Sequence, residues 1–323
     1  MASVPILQVK DLSITLEKKR QRYTIVDALS FELYKGQTLA IIGESGSGKS
    51  VTALSLLKLL PSPPFSVTGQ VSFQECNLLT APRVFLQKVV GTKISMIFQN
   101  PQSSLNPVFT IEQQFQEVIR THLLLSPRES RVKIIQSLKE TGFHHPESCL
   151  CLYPHQLSGG MLQRICIAMA LLCSPQILIA DEPTTALDVS VQYQILQLLK
   201  TLQEKTGMSL LIITHNMGVV AETADEVLVL YAGHMAEQAP VMQIFHNPSH
   251  PYTRDLLASR PSLQTSQHSF PTIPGQPPHY AAFPSGCCYH PRCSKSLKKC
   301  SIHSPNTHDL RDDHKVRCWL YDR

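Results

Sequence analysis

Short apolar runs alternate with amphipathic stretches along most of the chain, which is typical of a mixed α/β fold. Continuous apolar runs predict buried strands at 37–42, 93–98, 177–180 and 209–214. Looser alternation predicts strands at 6–16, 25–33 and 68–73, and a hairpin over 224–237 turning at Ala232-Gly233. The continuous runs indicate a parallel sheet, because only strands covered on both faces are apolar throughout.

Residues at helical spacing predict helices at 51–60, 111–125, 129–141, 165–173 and 191–203. The helix at 165–173 is apolar on every side, so we expect it to be buried. Amphipathic helices between Pro and Gly breaks from Asn100 to about Ser158 predict an inserted, mainly helical subdomain. Beyond Pro240 the chain is rich in Pro, Ser and His and loses its periodicity, which predicts a boundary near residue 245.

Composition narrows the class of protein. The chain has 323 residues, 43% hydrophobic and 16% charged, which suits a globular protein with a large core and an appendage. No apolar run approaches the roughly 18 residues of a membrane span, and no signal peptide is evident, so we expect a chain that is neither secreted nor membrane-spanning. The net charge of +5 comes without a dense basic stripe, so nucleic acid is not a predicted partner.

The segment from Gly43 to Ser50 has the sequence of a phosphate-binding loop. A predicted strand precedes it and a predicted helix follows it, as the motif requires. Its glycines let consecutive backbone N–H groups face a polyphosphate at a helix N-terminus. Lys49 is expected to reach the β and γ phosphates and Ser50 to bind Mg²⁺.

Three further sites carry candidate chemistry. Two carboxylates, Asp181 and Glu182, follow the apolar strand at 177–180, so one can serve Mg²⁺ and the other an attacking water. The glycine pair after Ser158 exposes backbone donors at a helix start and forms a second anion-binding element. His215 ends the strand at 209–214, which makes it a candidate site residue.

Five of the ten cysteines lie in the last 37 residues, which predicts a local site rather than a disulfide framework. Cys287, Cys293, Cys300 and Cys318 are separated by 5, 6 and 17 residues. Four thiolates suit a [4Fe–4S] cluster or Zn²⁺, although the spacing is not that of a zinc ribbon. Unliganded thiols are the alternative, and in a zinc site Cys288, His290 or His303 could take part.

The order of motifs resembles the ATP-binding subunits of ABC transporters over nearly the whole chain. The resembling motifs are the Walker A loop (43–50), the Q-loop residue Gln99, the signature motif (157–163), Walker B (177–182), the D-loop (186–188) and the switch histidine His215. The resemblance implies a P-loop NTPase (RecA-like) α/β core with ABC-specific antiparallel strands, an inserted helical subdomain and a cysteine-rich C-terminal extension. The implied segments are 1–98, 99–164, 165–245 and 246–323.

A narrower resemblance is to the oligopeptide and dipeptide permease ATPases. The segments that carry it are 99–107, 153–158, 247–254 and the tail around Gly286-Cys287 and Arg292-Cys293. Some members of this branch carry an iron–sulfur cluster in a similar tail. The chain departs from the usual pattern at Asn216, Ala239 and Cys288, none of which is an expected phosphate or magnesium ligand.

The resemblance assigns roles to individual residues. Glu182 would polarise the attacking water, His215 would bridge to the γ-phosphate, and Gln99 would sense the metal and the water. Ser50, Asp181 and Gln99 would serve Mg²⁺. Tyr23 could stack on adenine or serve as a half-buried strand residue. The remaining nucleotide-binding residues would be Gly43, Glu44, Ser45, Gly46, Ser47, Gly48, Lys49 and Val51 in the loop, with Ser158, Gly159, Gly160, Gln163 and Asp188.

The signature residues would complete the ATP site of a facing ATPase chain, so a head-to-tail dimer is implied, with a paralogue favoured as the partner. The other implied partners are two transmembrane permease subunits and an extracytoplasmic substrate-binding protein, at the cytoplasmic face of the membrane. The expected function is ATP hydrolysis that drives import of di- or oligopeptides. The alternatives are an importer of nickel or another small solute, a soluble ABC ATPase acting on ribosomes or DNA, and a binding module without hydrolysis.

Overall fold

The computed structural model describes residues 4–185, 187–259, 272–311 and 313–322. The strands are β1 (Leu7–Lys18), β2 (Gln21–Leu33), β3 (Thr38–Ile42), β4 (Phe65–Phe73), β5 (Cys76–Asn77), β6 (Ile94–Ile97), β7 (Ile177–Asp181), β8 (Ser209–Thr214), β9 (Glu226–Tyr231), β10 (His234–Pro240), β11 (His308–Asp309) and β12 (Lys315–Val316). The helices are α1 (Lys49–Leu56), α2 (Arg83–Val89), α3 (Pro101–Ser104), α4 (Ile111–His122), α5 (Pro127–Glu140), α6 (Pro146–Leu150), α7 (Gly159–Leu171), α8 (Val189–Thr206), α9 (Met217–Thr223), α10 (Val241–His246) and α11 (Pro251–Ala258).

The chain forms two compact units. The first contains the described residues up to Thr80 and from Ile213 onward, and the second runs from Ala81 to Ile212. The boundary at 212/213 falls inside β8. The mixed α/β character predicted from the apolar pattern is confirmed in the order of strands and helices.

The first unit holds an antiparallel sheet in the order β2-β1-β4-β5. Its first hairpin turns at Lys19 and Arg20, whose φ angles of 52° and 65° suit a tight two-residue turn. In a second set of strands β3 runs parallel to β9, and β10 returns antiparallel beside β9 through the predicted turn at Ala232-Gly233. β12 pairs with β10 and β11 with β12, so the end of the chain joins these strands.

The core of the first unit joins its central strands to the chain after Pro240. Ile42 on β3 and Val229 on β9 share one apolar cluster with Tyr252 on α11 and Tyr289 in the tail, and all four are buried. The two helices α10 and α11 lie where the sequence shows no helical periodicity. They are too short to display a repeating apolar stripe, so the pattern could not reveal them.

The second unit pairs β6 and β7 in parallel. Its apolar cluster is formed by α4, α5 and α7, with Phe115, Ile134 and Ile165 fully buried. Capping boxes at Thr110 and Ser126 start α4 and α5, which places both helices close to their predicted ranges.

Two helix boundaries differ from the prediction by four residues or more. Helix α1 ends at Leu56 instead of residue 60, because Lys58 takes a left-handed conformation with φ 56°. Helix α7 begins at Gly159 rather than Ile165, since the Ser158 hydroxyl accepts the backbone N–H of Met161 and caps the helix there. Among the helices described, none is both long and apolar enough for a bilayer span.

Candidate nucleotide-binding site

The phosphate loop connects β3 to α1 in the first unit, as predicted. Gly43 has a φ of 153°, and a Cβ on it would lie 2.1 Å from the backbone oxygen of Leu230. Gly48 has a φ of 102° and is the N-cap of α1, where a Cβ would lie 2.9 Å from the Val26 side chain. Both positions therefore require glycine for their conformation and for close packing on the neighbouring strands.

Lys49 lies across the interior of this loop. Its Nζ donates to the backbone oxygens of Gly43 at 2.8 Å and Glu44 at 2.9 Å, and to Ser47 Oγ at 3.4 Å. The lysine is only 7% exposed. The loop thus holds a buried cation beside the N-terminus of α1, which is an arrangement suited to a polyphosphate.

Glu44 is held by residues from the far end of the chain. Its carboxylate makes a bidentate pair with Arg292, with Nη1–Oε2 at 2.6 Å and Nη2–Oε1 at 3.0 Å. Its backbone N–H donates to the hydroxyl of Tyr252 at 2.9 Å. These contacts were not expected from the sequence, where Arg292 and Tyr252 served only as marks of a family branch.

The pKa values of Arg292 and Tyr252 are both raised, by hydrogen bonds for the arginine and by burial for the tyrosine. Burial, opposed mainly by the hydrogen bond to the Glu44 amide, raises the pKa of Tyr252. Burial alone would lower the pKa of Arg292, but its hydrogen bonds to Glu44 and Tyr231 raise it above the usual value. At neutral pH the arginine is therefore a cation and the tyrosine a neutral hydroxyl.

Tyr23 lies on β2, half-buried, and its ring meets the Tyr280 ring edge-on with 5.6 Å between centroids. Its hydroxyl donates to the side chain of Gln21. Both roles considered for Tyr23, adenine stacking and strand packing, remain compatible with this position. Tyr280 is a second aromatic ring here that the sequence did not single out.

Asp181 ends β7 in the second unit and Glu182 follows it directly, as the apolar run predicted. Asp181 is 4% exposed and Glu182 is 7% exposed. Glu182 has a φ of 50°, a conformation that is uncommon for a residue with a side chain and is often found at functional sites. Thr185 Oγ1 donates to Glu182 Oε2 at 2.8 Å and orients the carboxylate.

The signature residues form the first turns of α7. Ser158 and Gly159 are exposed, and Gly160 lies so close to α8 that a Cβ would be 2.9 Å from Val191 Cγ1. Gln163 is 2% exposed, and its Nε2 has no hydrogen-bond partner among the described residues. Backbone N–H groups in the first turn of a helix lack intrahelical acceptors, and the anion-binding role of this segment stays a prediction.

The remaining predicted residues are exposed ends of elements. Gln99 follows β6, Asp188 precedes α8 and His215 follows β8. Asn216, where the resembling family usually has Asp, caps α9 by accepting the N–H of Gly218 at 2.9 Å, so the departure keeps the helix cap. Ala186, the first residue of the predicted D-loop, lies outside the described residues.

The predicted site residues are divided between the two units. The first unit contains Tyr23, the phosphate loop 43–50, Val51 and His215, and the second contains Gln99, Ser158, Gly159, Gly160, Gln163, Asp181, Glu182 and Asp188. The first unit also contains the cysteine-rich tail.

The four tail cysteines carry free thiols, and their side chains are buried or half-buried. Burial and, to a lesser extent, the nearby thiols of Cys300 and Cys318 raise the pKa of Cys287 to about 12. Burial raises the pKa of Cys293 and Cys318 as well. Across the described ranges, no group of three or more His, Cys, Asp or Glu side chains is arranged to hold a metal ion. The predicted [4Fe–4S] cluster and its zinc alternative therefore have no support in the side-chain geometry.

The other five cysteines lie outside the tail. Burial raises the pKa of Cys166 to about 12 and also raises the pKa values of Cys149 and Cys173. Cys76 is half-buried, whereas Cys151, just after α6, is exposed. Cys151 is therefore more exposed than the other nine cysteines, which are half-buried or buried.

Two family models match the chain. The model for ABC transporters matches residues 26–185, and the model for the C-terminal region of oligopeptide/dipeptide transporters matches residues 236–300. These matches confirm the resemblance drawn from the motifs, including its narrower branch.

Curated relatives match over nearly the full length. The dipeptide transport ATP-binding protein DppD of Bacillus subtilis (strain 168) is 44% identical, with 98% of this chain and 95% of the relative covered. The oligopeptide transport ATP-binding protein OppD of the same organism is 43% identical, covering 98% and 88%. The DppD protein of Haemophilus influenzae is 40% identical, covering 97% and 94%.

A solved structure is similar to most of the chain. The dimeric ATP-binding cassette MJ0796, bound to ADP and Pi in a post-hydrolysis state, is 27% identical and has a TM-score of 0.64. The match covers 73% of this chain and 98% of that one.

Proposed function

Because the chain belongs to the ABC transporter family of ATP-binding proteins, in its oligopeptide/dipeptide branch, we propose that it hydrolyses ATP to drive import of di- or oligopeptides. The fold is accordingly that of an ABC ATPase cassette. The observation that carries the peptide assignment is the branch-specific C-terminal match, combined with identity above 40% over 98% of the chain to peptide-transport ATPases.

The phosphate loop binds ATP in this proposal. Lys49 would exchange its bonds to the loop oxygens for the β and γ phosphates, and the amides at the start of α1 would face the same oxygens. The Ser50 hydroxyl, the Asp181 carboxylate and the Gln99 side chain are the proposed residues for Mg²⁺, and oxygen donors of these kinds suit that cation. When bound, Mg²⁺ neutralises charge on the phosphates.

Glu182 is the proposed general base for the attacking water. The support is a buried carboxylate that Thr185 orients and whose backbone has a φ of 50°. Such a base is typically worth about 10²–10⁴ in rate. His215 would contact the γ-phosphate, and positioning by the loop would supply most of the remaining rate.

The signature residues serve a second ATPase chain in this proposal. Ser158, Gly159 and Gly160 present backbone N–H groups at the exposed start of α7, with Gln163 and Asp188 nearby in sequence. The partner is a paralogous ATPase, giving a heterodimer that closes over two ATP molecules and opens after hydrolysis. A dimer is also the state of the similar cassette MJ0796.

Two permease subunits and an extracytoplasmic substrate-binding protein complete the proposed importer, which places this chain at the cytoplasmic face of the membrane as a peripheral subunit. The predicted segment 99–164 would act as the helical subdomain that contacts the permeases, between core segments 1–98 and 165–245. Large apolar side chains are exposed at Phe98, Val108 and Phe109, next to Gln99 and α3. Contiguous exposed apolar patches mark protein partners, and these side chains would contribute to such a patch in this proposal.

The tail cysteines remain a separate proposal. Four soft sulfur donors whose thiols are near enough to affect one another suit a [4Fe–4S] cluster, or Zn²⁺ as the alternative. The side chains would have to rearrange, since the described thiols form no metal site. Protein purified without oxygen should contain iron or zinc, and an absence of both metals would refute the proposal.

Uptake of labelled di- and oligopeptides tests the substrate class. Cells would carry the natural partner subunits with either the unmodified chain or the Glu182→Gln variant. Loss of peptide uptake in the variant alone supports the proposal. Intact peptide uptake with lost nickel uptake would instead assign a metal importer, and no change in either would favour a soluble ABC ATPase.

ATP turnover by the same variant tests the role of Glu182. We expect hydrolysis to fall by at least 10²-fold while ATP remains bound and the dimer stays closed. The matched control is Glu140→Gln, an exposed glutamate of α5 in the same unit. Undiminished turnover in Glu182→Gln would remove Glu182 from the mechanism.

A further inference from the structure

Glu44 in the phosphate loop is fixed at its side chain, its amide and its carbonyl. Arg292 holds the carboxylate, Tyr252 accepts the N–H, and Lys49 donates to the carbonyl oxygen. Two of these three residues lie in the C-terminal extension, more than 200 positions along the chain. A loop residue held at three groups has little freedom left to lose when a ligand binds.

The extension is itself rigid where it touches the loop. The side chain of Arg292 is 6% exposed, and its Nε donates to the backbone oxygen of Pro274 at 2.8 Å. Its Nη1 also reaches the Tyr231 hydroxyl at 3.3 Å. Both terminal nitrogens of the guanidinium and its Nε therefore have hydrogen-bond partners, which fixes the direction of the side chain toward Glu44.

Three tyrosines form the base of this contact. The rings of Tyr231, Tyr252 and Tyr289 lie 4.6 to 5.2 Å apart, each packed against both others. The Arg292 guanidinium lies 5.8 Å from the Tyr231 ring centre and 6.0 Å from that of Tyr289. These rings join β9, α11 and the tail into one packed support for the loop.

A second contact joins the extension to the predicted adenine end of the site. Tyr280 meets Tyr23 edge-on at 5.6 Å, and His279 packs beside Tyr280 at 4.0 Å. Within the first unit, the extension thus contacts both the phosphate loop and the expected adenine-stacking ring.

We propose that Arg292 and Tyr252 are positioning residues for ATP, which fix Glu44 so that the phosphate loop is held ready for the nucleotide. The C-terminal extension thereby sets the ATP affinity of this chain, in addition to any part it has in transport. The inference rests on the proposed binding of ATP by residues 43–50.

The expected effect is on affinity rather than on the chemical step. Without the Arg292–Glu44 pair the empty loop samples more conformations, and ATP must select the binding one. Once ATP is bound, the phosphates themselves order the loop. The KM for ATP should therefore rise while kcat changes little, because neither residue touches the reacting atoms.

The experiment measures the Kd for ATP of the full-length chain, in EDTA, and the KM and kcat for ATP in the assembled transporter. Arg292→Ala should raise Kd and KM about tenfold and leave kcat within about twofold. Arg292→Lys should give an intermediate value, because lysine keeps the charge but cannot make the bidentate contact with Glu44. Glu44→Gln weakens the same pair from the side of the loop and should raise the KM similarly. It tests the inference even if Arg292→Ala folds poorly.

The double variant Arg292→Ala with Glu44→Gln should bind ATP as tightly as the more affected single variant, since both substitutions remove the same interaction. Arg317→Ala is the matched control, because Arg317 is another tail arginine whose side chain contacts Pro305 and His234 and makes no hydrogen bond to Glu44. It should lower stability without changing the KM.

Three results would overturn the inference: an unchanged KM in both single variants, an equal rise in Arg317→Ala, or fully additive effects in the double variant. The Lys49→Ala variant distinguishes a failure of the positioning role from a failure of the proposed ATP binding by residues 43–50. If Lys49→Ala binds ATP normally, the loop is not the ATP site. If it loses ATP while Arg292→Ala and Glu44→Gln bind normally, only the positioning role is refuted.

Discussion

Replacing Glu237 by alanine should destabilise the first unit strongly. The side chain lies on β10, is fully buried, and accepts three hydrogen bonds. They come from the backbone N–H of Ser249 at 2.6 Å, the backbone N–H of His250 at 2.9 Å and Nε2 of His314 at 2.6 Å. One carboxylate thus ties the chain before α11 and the end of the tail to the same strand.

The magnitude follows from the donors that lose their partner. Each buried donor left unsatisfied costs about 1–3 kcal/mol, and two backbone N–H groups and one imidazole are affected. Allowing for water entering the gap, we expect a loss of about 4 kcal/mol, out of a total of roughly 5–15 kcal/mol for a protein. At about 2–4 °C per kcal/mol for a chain of this size, the Tm should fall by roughly 10 °C.

Thermal unfolding followed by tryptophan fluorescence is the assay, because Trp319 is the single tryptophan and its indole donates to the backbone oxygen of His303 in the tail. Glu237→Gln keeps one acceptor and should lose about half as much. Glu140→Ala, an exposed helical glutamate, is the control and should stay within about 0.5 kcal/mol. A Tm for Glu237→Ala within about 2 °C of the unmodified chain would refute the reasoning.

Three further outcomes follow from the geometry. Burial lowers the pKa of His250 from 6.5 to about 4, and its Nδ1 accepts the N–H of Tyr252, so the folded state holds the imidazole neutral. The stability that His250 contributes is therefore full above pH 6.5. It falls as pH drops toward 4, by about 2 kcal/mol between pH 7 and pH 5. His250→Asn, which can cap the same helix, should reduce this slope in urea unfolding at several pH values, and an unchanged slope would contradict it. Gly43→Ala places a Cβ against Leu230 and should abolish binding of ATP in an equilibrium assay, so normal binding would contradict the packing described. Gly160→Ala should lower the Tm by several degrees through the clash with Val191, and Val191→Ala should restore it; failure of this rescue would contradict the close approach of α7 and α8.

The sequence predicted those parts of the fold in which local pattern and tertiary context agree. β7 and β8 are continuous apolar runs because both their faces are buried, and the hairpin at Ala232-Gly233 needs residues that accept a positive φ. The apolar pattern predicts the start of α7 six residues late, because the glycine pair has low helix propensity, whereas the Ser158 cap decides where the helix begins.

In the candidate site, too, local motifs could be predicted and long-range contacts could not. Lys49, Asp181 and Glu182 could be found because each lies in a short motif whose spacing is set by one strand and its turn. Arg292 and Tyr252 could not, since their role depends on contacts with Glu44 across more than 200 residues, and no local spacing encodes such a contact. In the sequence, an arginine beside a cysteine in the tail shows only a resemblance to a family branch. The contact of Arg292 with Glu44 supplies the physical reason for the arginine.

The exposure of Cys151 makes it a natural attachment point for a spectroscopic probe. Maleimides react with the thiolate, and burial raises the pKa of thiols such as Cys166 and Cys287, so these react slowly at neutral pH. Cys151 is exposed in the turn that leads to the signature segment. We therefore expect Cys151 to be labelled first in the unmodified chain, so that the signal of a dye or spin label in the second unit can be followed as nucleotide is added.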